Sequence, residues 1–557
     1  MRFRPMYISK VYIENFKTFK GSFKLELNEG INILVGNNEA GKSTIIEAIH
    51  LALSGLHNGR YFKNELSQYV FNNEVVEEYL ESLEEGNASQ PLPHILIEVF
   101  LGGDGVEEFW GDFNTEKNPK VSGFSLKVAF DEKYQEHYEK LIQIGELKTL
   151  PIEYYDISWS SFARNEGLTP RTIPLKSALI DSASTKFQNG SDIYISRIIK
   201  EFLDTSEVVE VSQAHRRMKE SFMEEEAIQK INEKIKTASK ISDKKVELSV
   251  ELSSKNAWES SLMTYIEDIP FHYIGKGEQC LIKTKLALGH KKAKEANIIL
   301  LEEPENHLSY LKLNQLISDV KDGSSDKQIL VSTHSSFVAN KLGLEHLILL
   351  NNKKTTRLND LSSATETFFQ KLSGYDTLRL ILCDKAILVE GDSDELVVQK
   401  AFMVNNNGKL PIEKGVDVIS VGISFLRFLE IADKIGANVT VMTDSDGDID
   451  ALDKKYENYL GNNAKQNINI CFDSTIDTGN LKIGDKKFNY NTLEPKLLKA
   501  NNLDKLNTVF GTSYEFEDDL LKYMKSNKTE CALKIFETSE SINFPQYILD
   551  AIKPVEQ

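Results

Sequence analysis

The chain has 557 residues and a formal net charge of −18, with 41% hydrophobic and 27% charged residues. At roughly 100–200 residues per domain, this length predicts three or four domains and more than one buried core. The acidic total argues against a general nucleic-acid coat protein, which would carry excess lysine and arginine. It still allows a nuclease, because a local basic groove is compatible with an acidic total.

The four cysteines, Cys280, Cys383, Cys471 and Cys531, are widely spaced and form no CxxC pair. This spacing argues against a structural zinc site and a disulfide framework, and it favours reduced thiols in the cytosol. No segment has the length and apolar character of a signal peptide or of a membrane helix, which needs roughly 18 apolar residues. We therefore expect a soluble, cytoplasmic protein with no membrane partner.

The first half of the chain mixes strand and helix patterns. Strands are predicted by the alternation of the first forty residues and by the stretches 30–36, 94–101, 124–130, 297–301 and 328–332. A helical pattern runs over Lys42–Leu53, directly after a glycine-containing loop. The residues from about 192 to 263 are rich in Glu, Lys, Ile and Met with helical spacing, which predicts an inserted helical region.

A second α/β pattern follows a polar patch near 351–363. Its strands are predicted at 386–391, 417–422, 438–444 and 467–473. Helical segments separate the first three of these strands. Short apolar strands that alternate with helices are typical of a parallel sheet.

The loop between the apolar strand and the first helix fits G-x-x-x-x-G-K-[ST]. We expect its residues Asn37, Asn38, Glu39, Ala40, Gly41, Lys42, Ser43 and Thr44 to bind ATP. In such a loop the backbone N–H groups and the lysine contact phosphates, and the serine hydroxyl binds Mg²⁺. The following helix presents its positive end to the same anion.

A second apolar strand ends in two carboxylates, Glu302 and Glu303. A P-loop ATPase needs one acid for Mg²⁺ and another to orient or deprotonate the attacking water. We assign Glu302 to the metal and Glu303 to the water.

Further motifs resemble those of ABC-type ATPase heads. The segment with Gly275, Gly277 and Gln279 resembles the signature loop that contacts the γ-phosphate from the opposite subunit, and His334 resembles the switch histidine. The N-terminal segment 14–17 (ENFK) resembles the opening strand of heads in the SMC, RecF and Rad50 group. One head per chain then implies a homodimer or a higher homo-oligomer.

Carboxylates also stand at the ends of strands in the second half. Glu390 follows one apolar strand, and Asp444 and Asp446 follow another. Such carboxylates point into the crevice where α/β folds bind ligands, and their mutual repulsion favours a divalent cation. An EF-hand loop does not fit, because position 453 is aspartate where that pattern needs glutamate. A plain acidic turn remains the alternative.

This half resembles the Toprim domain, and the order of parts resembles the OLD (overcoming lysogenisation defect) family, which has Gabija-type and retron-associated phage-defence nucleases as relatives. The implied fold is α/β: an ABC-type P-loop head with a helical insert, followed by a parallel-sheet, Rossmann-like Toprim domain. The expected domains are 1–165 (head, first part), 166–265 (helical insert, dimerisation), 266–372 (head, second part) and 380–557 (Toprim).

The OLD resemblance adds further site residues. It implies metal-binding roles for Asp394 and Glu494 beside Thr492, and a charge-offsetting role for Lys528, for which Lys525 is an alternative. Threonine at 492 departs from the expected serine. Glu302 replaces the usual aspartate of the ABC strand.

The implied activity is ATP-regulated DNA cleavage by two metals about 3.5–4 Å apart. Glu390, Asp394 and Asp444 would hold the metal that activates water, and Asp446 and Glu494 the other. Mg²⁺ is the expected metal, with Mn²⁺ as an alternative at the nuclease site. Two other readings stay open: an ATP-switched DNA-binding or scaffold protein of the RecF or SMC kind, and an effector that acts on RNA or needs a partner protein or nucleic acid from a defence operon.

Overall fold

The computed structural model describes residues 4–58, 60–84, 91–144, 147–181, 187–188, 191–192, 203–238, 248, 264–289, 297–322, 327–351, 353–358 and 361–556. Contacts divide the chain into two compact units, the first comprising 1–333 and 350–354 and the second 334–349 and 355–557. No helix within the described ranges is long and apolar enough to cross a membrane.

The strands as far as residue 357 are β1 (Tyr7–Glu14), β2 (Ser22–Glu26), β3 (Ile31–Gly36), β4 (Leu56–His57), β5 (Arg60–Tyr61), β6 (Ile95–Gly102), β7 (Ser122–Phe130), β8 (Tyr155–Ser161), β9 (Ser177–Asp181), β10 (Phe187–Gln188), β11 (Ser191–Asp192), β12 (Tyr265–Ile266), β13 (Ile269–Pro270), β14 (Ile298–Glu302), β15 (Gln328–Ser332), β16 (Leu347–Asn351) and β17 (Lys354–Arg357). The predicted strands of the first half are confirmed, with small shifts at their ends.

An antiparallel sheet in the first unit has the order β2-β1-β6-β7-β8. In β2, Phe23 and Leu25 are buried while the residues between and beside them are exposed. This alternation is typical of an antiparallel strand that packs one face on the core and leaves the other in water.

A parallel sheet in the same unit carries the P-loop. Strands β3, β15, β14 and β9 lie side by side in that order, and each neighbouring pair is parallel. Ile33, Leu34 and Val35 of β3 are fully buried, as expected for a parallel strand covered on both faces. Because parallel strands end at the same edge, Gly36 and Glu302 finish at one edge of this sheet.

The helices of the first unit are α1 (Lys42–Ser54), α2 (Phe62–Glu65), α3 (Asn73–Glu84), α4 (Gln135–Ile144), α5 (Thr205–Glu224), α6 (Glu226–Ala238), α7 (Lys276–Gly289) and α8 (Tyr310–Asp322). Helices α5 and α6 lie within the predicted insert 166–265. Strand β9 also lies there and pairs with β14, so that segment is not helical throughout. Other parts of it fall outside the described residues, and its role in dimerisation stays a prediction.

The second unit contains β18 (Lys385–Val389), β19 (Val416–Ser420), β20 (Asn438–Met442), β21 (Ile468–Cys471), β22 (Lys482–Ile483) and β23 (Lys486–Lys487). The first four form a wholly parallel sheet with the order β19-β18-β20-β21. The predicted second α/β pattern is therefore confirmed.

The helices of the second unit are α9 (Ser336–Leu342), α10 (Ser363–Lys371), α11 (Thr377–Leu382), α12 (Asp392–Asn405), α13 (Phe425–Ile435), α14 (Ile449–Lys455), α15 (Leu493–Ala500), α16 (Leu503–Phe510), α17 (Glu517–Ser526), α18 (Lys528–Glu537) and α19 (Gln546–Glu556). Helix α12 packs against α18, and α19 packs against β20. Buried residues of α12, α18 and α19, which include Phe402, Ile535 and Ile548, form one apolar core with the sheet.

Helices α9 to α11 belong to the second unit through a buried polar network. The Asn340 Nδ2 atom donates to the Tyr375 carbonyl at 2.8 Å, and the Thr377 hydroxyl donates to Asn340 Oδ1 at 2.7 Å. Arg379 of α11 donates two hydrogen bonds to Asp417 on β19, at 2.9 and 2.6 Å. Residues that precede the expected boundary at 372–380, such as Asn340, thus belong to the unit that contains the wholly parallel sheet. The domain boundaries expected from the sequence stay predictions.

Candidate functional site

The P-loop follows β3 and bends through left-handed backbone. Glu39 has a φ of 66° and Gly41 a φ of 98°. Lys42 is buried, and its Nζ atom donates to the Gly36 carbonyl at 2.8 Å and to the Asn37 carbonyl at 3.1 Å. The lysine ammonium is therefore held at the mouth of the loop.

The other predicted loop residues differ in exposure. Asn37, Asn38, Glu39 and Ser43 are exposed, Ala40 is half-buried, and Gly41 and Thr44 are buried. Thr44 lies 3.1 Å from Thr18, hydroxyl to hydroxyl. An exposed Ser43 hydroxyl at the start of α1 suits the expected contact with Mg²⁺.

The acidic residues after β14 occupy the same edge of the sheet. Glu302 pairs in register with Ser332, and the Glu303 N–H donates to the Ser332 carbonyl at 3.0 Å. Glu303 has a φ of 43°, and its Oε2 atom accepts a hydrogen bond from Asn306 at 2.7 Å. The strand end thus presents two successive carboxylates; the assignment of Glu302 to the metal and of Glu303 to the water stays a prediction.

Glu305 is a residue of this site that the sequence interpretation did not include. Its Oε1 atom accepts a hydrogen bond from the Thr333 hydroxyl at 2.7 Å. Burial lowers the pKa of Lys42, and the charges of Glu303 and Glu305 oppose that shift. The acidic spacing E-E-P-E was the sequence signal that could have drawn attention to it.

The predicted signature residues lie at the start of α7. Gln279 is buried, and its Nε2 atom donates to the Ile274 carbonyl at 2.7 Å. A Cβ atom on Gly277 would lie 2.1 Å from the His307 carbonyl oxygen, whereas one on Gly275 would meet nothing within 4 Å. Gly277 is therefore required by the close approach of α7 to the loop that follows Glu303.

The predicted switch residue His334 is exposed and lies two residues beyond the end of β15. It belongs to the second unit by contacts. Its role toward the γ-phosphate stays a prediction.

In the second unit, the predicted carboxylates stand where parallel strands end. Glu390 follows β18 and is exposed, and its carbonyl accepts a hydrogen bond from Gly422 at 3.0 Å. Asp444 follows the neighbouring strand β20 after one residue. Since β18 and β20 are parallel neighbours, both acids reach the same edge of the sheet.

Asp394 lies at the start of α12. Its Oδ2 atom accepts a hydrogen bond from the Gly391 N–H at 3.0 Å, which caps the helix. Burial, with the charges of Glu390 and Glu494 nearby, raises the pKa of Asp394 to about 6. The helix cap thus holds this carboxylate among other acids.

Asp444 is partly buried beside the other acids. Its Oδ2 atom accepts a hydrogen bond from the Leu493 N–H at 3.2 Å, and the Tyr547 hydroxyl lies 3.5 Å from Oδ1. Burial and the charges of Asp394 and Glu494 hold the pKa of Asp444 well above its usual range. Three carboxylates that are distant in sequence therefore influence one another.

Lys528 is the basic residue of the cluster and pairs with Glu494. Glu494 is buried, and it accepts hydrogen bonds from the Lys528 ammonium at 2.8 Å and from the Thr492 hydroxyl at 3.1 Å. Burial lowers the pKa of Lys528, but the ion pair outweighs burial and the pKa is raised. Lys525 instead lies over the Phe488 ring, 5.3 Å from its centre.

Asp446 is exposed and has a φ of 52°. Its Oδ1 atom accepts a hydrogen bond from Asn489 at 2.8 Å. Asn489 and Tyr547 are further residues of the site that the sequence interpretation missed. They belong to a loop and to the C-terminal helix, where no local pattern marks them.

These residues supply the oxygen ligands that Mg²⁺ prefers. Across the described ranges, however, no group of three or more His, Cys, Asp or Glu side chains is arranged to hold a metal ion. Asp394, Asp446 and Glu494 each accept a hydrogen bond from a protein donor, as described above. The ligand chemistry therefore fits a divalent cation, and binding would require these carboxylates to exchange donors for the ion.

The two sites define an ATPase head joined to a Toprim domain. An AAA-domain family model matches residues 10–372, and an overcoming lysogenization defect protein-like Toprim model matches residues 381–446. The chain belongs to the AAA-domain family and has the architecture of the OLD family.

Known proteins resemble parts of the chain. The DNA replication and repair protein RecF of Shewanella loihica is 38% identical over 69 residues, which are 12% of this chain and 18% of RecF. The DNA double-strand break repair Rad50 ATPase of Methanopyrus kandleri is 54% identical over 46 residues, 8% of this chain and 5% of that protein. The chain thus spans less than a fifth of these relatives. The Smc head domain structure from Pyrococcus furiosus, bound to the C-terminal domain of ScpA, covers 66% of this chain and 99% of its own, with 11% identity and a TM-score of 0.33.

Proposed function

We propose that the protein is a divalent-metal-dependent DNA endonuclease whose Toprim site is regulated by ATP at the head. The observation that carries the proposal is the convergence of Asp394, Asp444, Glu494 and Lys528 at the carboxyl edge of a parallel sheet. Four segments distant in sequence supply these side chains. Stability alone does not explain such a cluster, because buried acids at short range repel one another.

Each side chain has a distinct task in this proposal. Asp394, Asp444 and Glu390 hold one Mg²⁺ or Mn²⁺ ion, and Asp446 and Glu494 help to hold another. When bound, such ions supply an activated water and stabilise the leaving oxygen. Lys528, whose side chain is half exposed, would offset negative charge on the phosphate.

At the head, Lys42 and Ser43 bind the phosphates and Mg²⁺ of ATP, Glu302 supports the ion, and Glu303 orients the attacking water. Gly275, Gly277 and Gln279 complete the site of a second copy, so we propose a homo-oligomer. We place its action in the cytoplasm, in defence against phage, together with a partner protein or nucleic acid from a defence operon. ATP acts on the state of the nuclease and supplies none of its bond cleavage.

The test is cleavage of supercoiled plasmid with Mg²⁺ or Mn²⁺, with and without ATP. We expect wild-type protein to cut, Asp444→Ala to lose at least 100-fold in rate, and Asp450→Ala, an exposed acid of α14, to cut like wild type. Lys42→Ala should retain metal-dependent cutting but lose its response to ATP. Equal cutting by wild type and Asp444→Ala would refute the assigned site.

A second candidate is an ATP-switched DNA-binding or scaffold protein. It is favoured by the observation that the described carboxylates are not already arranged around an ion site. In that case wild-type protein would hydrolyse ATP and bind DNA in an ATP-dependent manner, and no DNA form would be cut with either metal. Cutting of RNA alone, or only with an added partner, would identify the effector described above.

A further inference from the structure

A short basic hairpin projects beside the carboxylate cluster. Strands β22 and β23 pair with Lys482 opposite Lys487, and Ile483 opposite Lys486. Gly484 has a φ of 60° and begins the two-residue turn, a position that favours glycine. The three lysines are exposed, and with one aspartate, Asp485, the six residues carry a net charge of +2 in a chain of −18.

The base of this hairpin is fixed in the core. Leu481 and Phe488, the residues on either side, are buried in the main apolar cluster of the second unit. The Phe488 N–H donates to the Leu481 carbonyl at 3.0 Å, and the Leu481 N–H donates to the Tyr490 hydroxyl at 3.1 Å. The hairpin therefore has a defined direction although its tip lies in solvent.

The placement of the lysines does not serve the stability of the hairpin. Like charges directly opposite one another on paired strands are destabilising. Within the part of the chain that the structure describes, Lys482, Lys486 and Lys487 form no ion pair, although the chain has 84 acidic residues and 66 basic ones. Their positive charge is thus available to a polyanion from outside the chain.

The hairpin leads directly to the carboxylates. Asn489, which donates to Asp446 at 2.8 Å, follows Lys487 by two residues. Two residues span at most about 7 Å between Cα atoms, so Lys487, the last residue of the hairpin, lies within that distance of Asn489. Lys525 adds a further positive charge over the Phe488 ring, 5.3 Å from its centre.

We propose that the hairpin 482–487, together with Lys525, binds the DNA phosphodiester backbone next to the scissile phosphate. The inference rests on the proposed nuclease function and adds the place where the substrate is held. An acidic cluster repels DNA, so productive binding needs adjacent cations that neutralise the flanking phosphates. In this protein the hairpin supplies them on a base that is fixed in the core, two residues before the Asn489 side chain that contacts Asp446.

The test is the binding of a fluorescent 30-base-pair duplex by full-length protein in EDTA, where cleavage cannot interfere. Each phosphate contact contributes about 0.9 to the slope of log K against log salt concentration. We expect the triple variant Lys482→Gln, Lys486→Gln, Lys487→Gln to flatten that slope by about 2.7, and the matching Lys→Arg triple to restore it. The Gln triple should not lower the temperature of thermal unfolding, because these lysines form no ion pair among the described residues and Lys482 and Lys487 stand opposite one another.

The control triple is Lys409→Gln, Lys414→Gln, Lys434→Gln, which removes exposed charges from segments that precede β19 and β20, at the opposite edge of the sheet. It should leave the slope within about 0.5 of wild type. Equal slopes for the two triples, or no duplex binding by wild type, would overturn the hairpin inference. If the hairpin triple flattens the salt slope but Asp444→Ala cuts like wild type, the hairpin binds DNA and the proposed nuclease site is wrong. If the triple leaves the salt slope unchanged but Asp444→Ala no longer cuts, the nuclease site is right and the hairpin inference is wrong.

Discussion

Lys496 of α15 makes a buried ionic contact whose loss should lower the stability of the second unit. Its side chain is 3% exposed, and its ammonium lies 2.8 Å from Asp473 and 2.7 Å from Asp477. It also donates to the Thr475 carbonyl at 2.7 Å. Lys496→Met keeps most of the volume and removes the charge, so it isolates the ionic contribution.

Breaking a buried ion pair by removal of one partner costs about 3–5 kcal/mol. The aspartates here are 27% and 24% exposed, so water screens them after the lysine is lost. We therefore expect a cost below that range, about 2–3 kcal/mol in the free energy of unfolding. For a unit of this size, 1 kcal/mol corresponds to about 2–4 °C, which gives a decrease in Tm of about 5–10 °C.

Lys499→Met is the matched control, because Lys499 contacts the same Asp477 at 2.6 Å but is 59% exposed. An exposed pair contributes under about 1 kcal/mol, so the Tm of this variant should fall by no more than about 4 °C. The measurement is calorimetric unfolding of the full chain without nucleotide, read at the transition of the second unit. Equal shifts for the two variants would refute the argument that burial gives this ion pair its weight.

Three further predictions concern other contacts. Gly277→Ala places a Cβ atom 2.1 Å from the His307 carbonyl oxygen and should lower the stability of the first unit by about 1–3 kcal/mol, while Gly275→Ala should leave its Tm unchanged. Burial raises the pKa of Glu98, so ionisation of this acid opposes folding as pH rises through its folded-state pKa. The Glu98→Gln variant should therefore have a higher Tm than wild type at pH 8 and nearly the same Tm at pH 4. A difference in Tm that does not change with pH would contradict this. Arg379→Met leaves the partly buried Asp417 without its two hydrogen bonds and should cost about 2–4 kcal/mol in urea unfolding of the second unit; Arg379→Lys should recover only part of the loss, since lysine cannot form both bonds.

The sequence alone was sufficient for the features whose causes are local. The P-loop could be placed because a buried apolar strand, a glycine at the start of a helix, and a lysine and serine follow one another within a few residues. The carboxylates after β14, β18 and β20 could be assigned to site edges for a similar reason. Apolar runs of this kind form parallel strands, and parallel strands end together.

Local sequence pattern could not distinguish Lys528 from Lys525 as the lysine that faces the acids. Lys525 and Lys528 are three residues apart, and their neighbours in sequence do not distinguish their roles. Packing of α17 and α18 on the core places Lys528 at Glu494 and leaves Lys525 over the Phe488 ring. Which lysine faces the acids depends on the direction of the helices, and tertiary contacts alone determine that direction.

Tertiary contacts also identified three site residues that the sequence pattern did not mark, namely Tyr547, Asn489 and Glu305. Tyr547 reaches Asp444 across 103 positions, and Asn489 reaches Asp446 across 43. Periodicity and spacing report the conformation of neighbouring residues, whereas such contacts arise when separate segments pack on one core. The sequence by itself therefore determined which kinds of site the protein has and at which edge of each sheet they lie. The tertiary structure decided which distant side chains complete those sites.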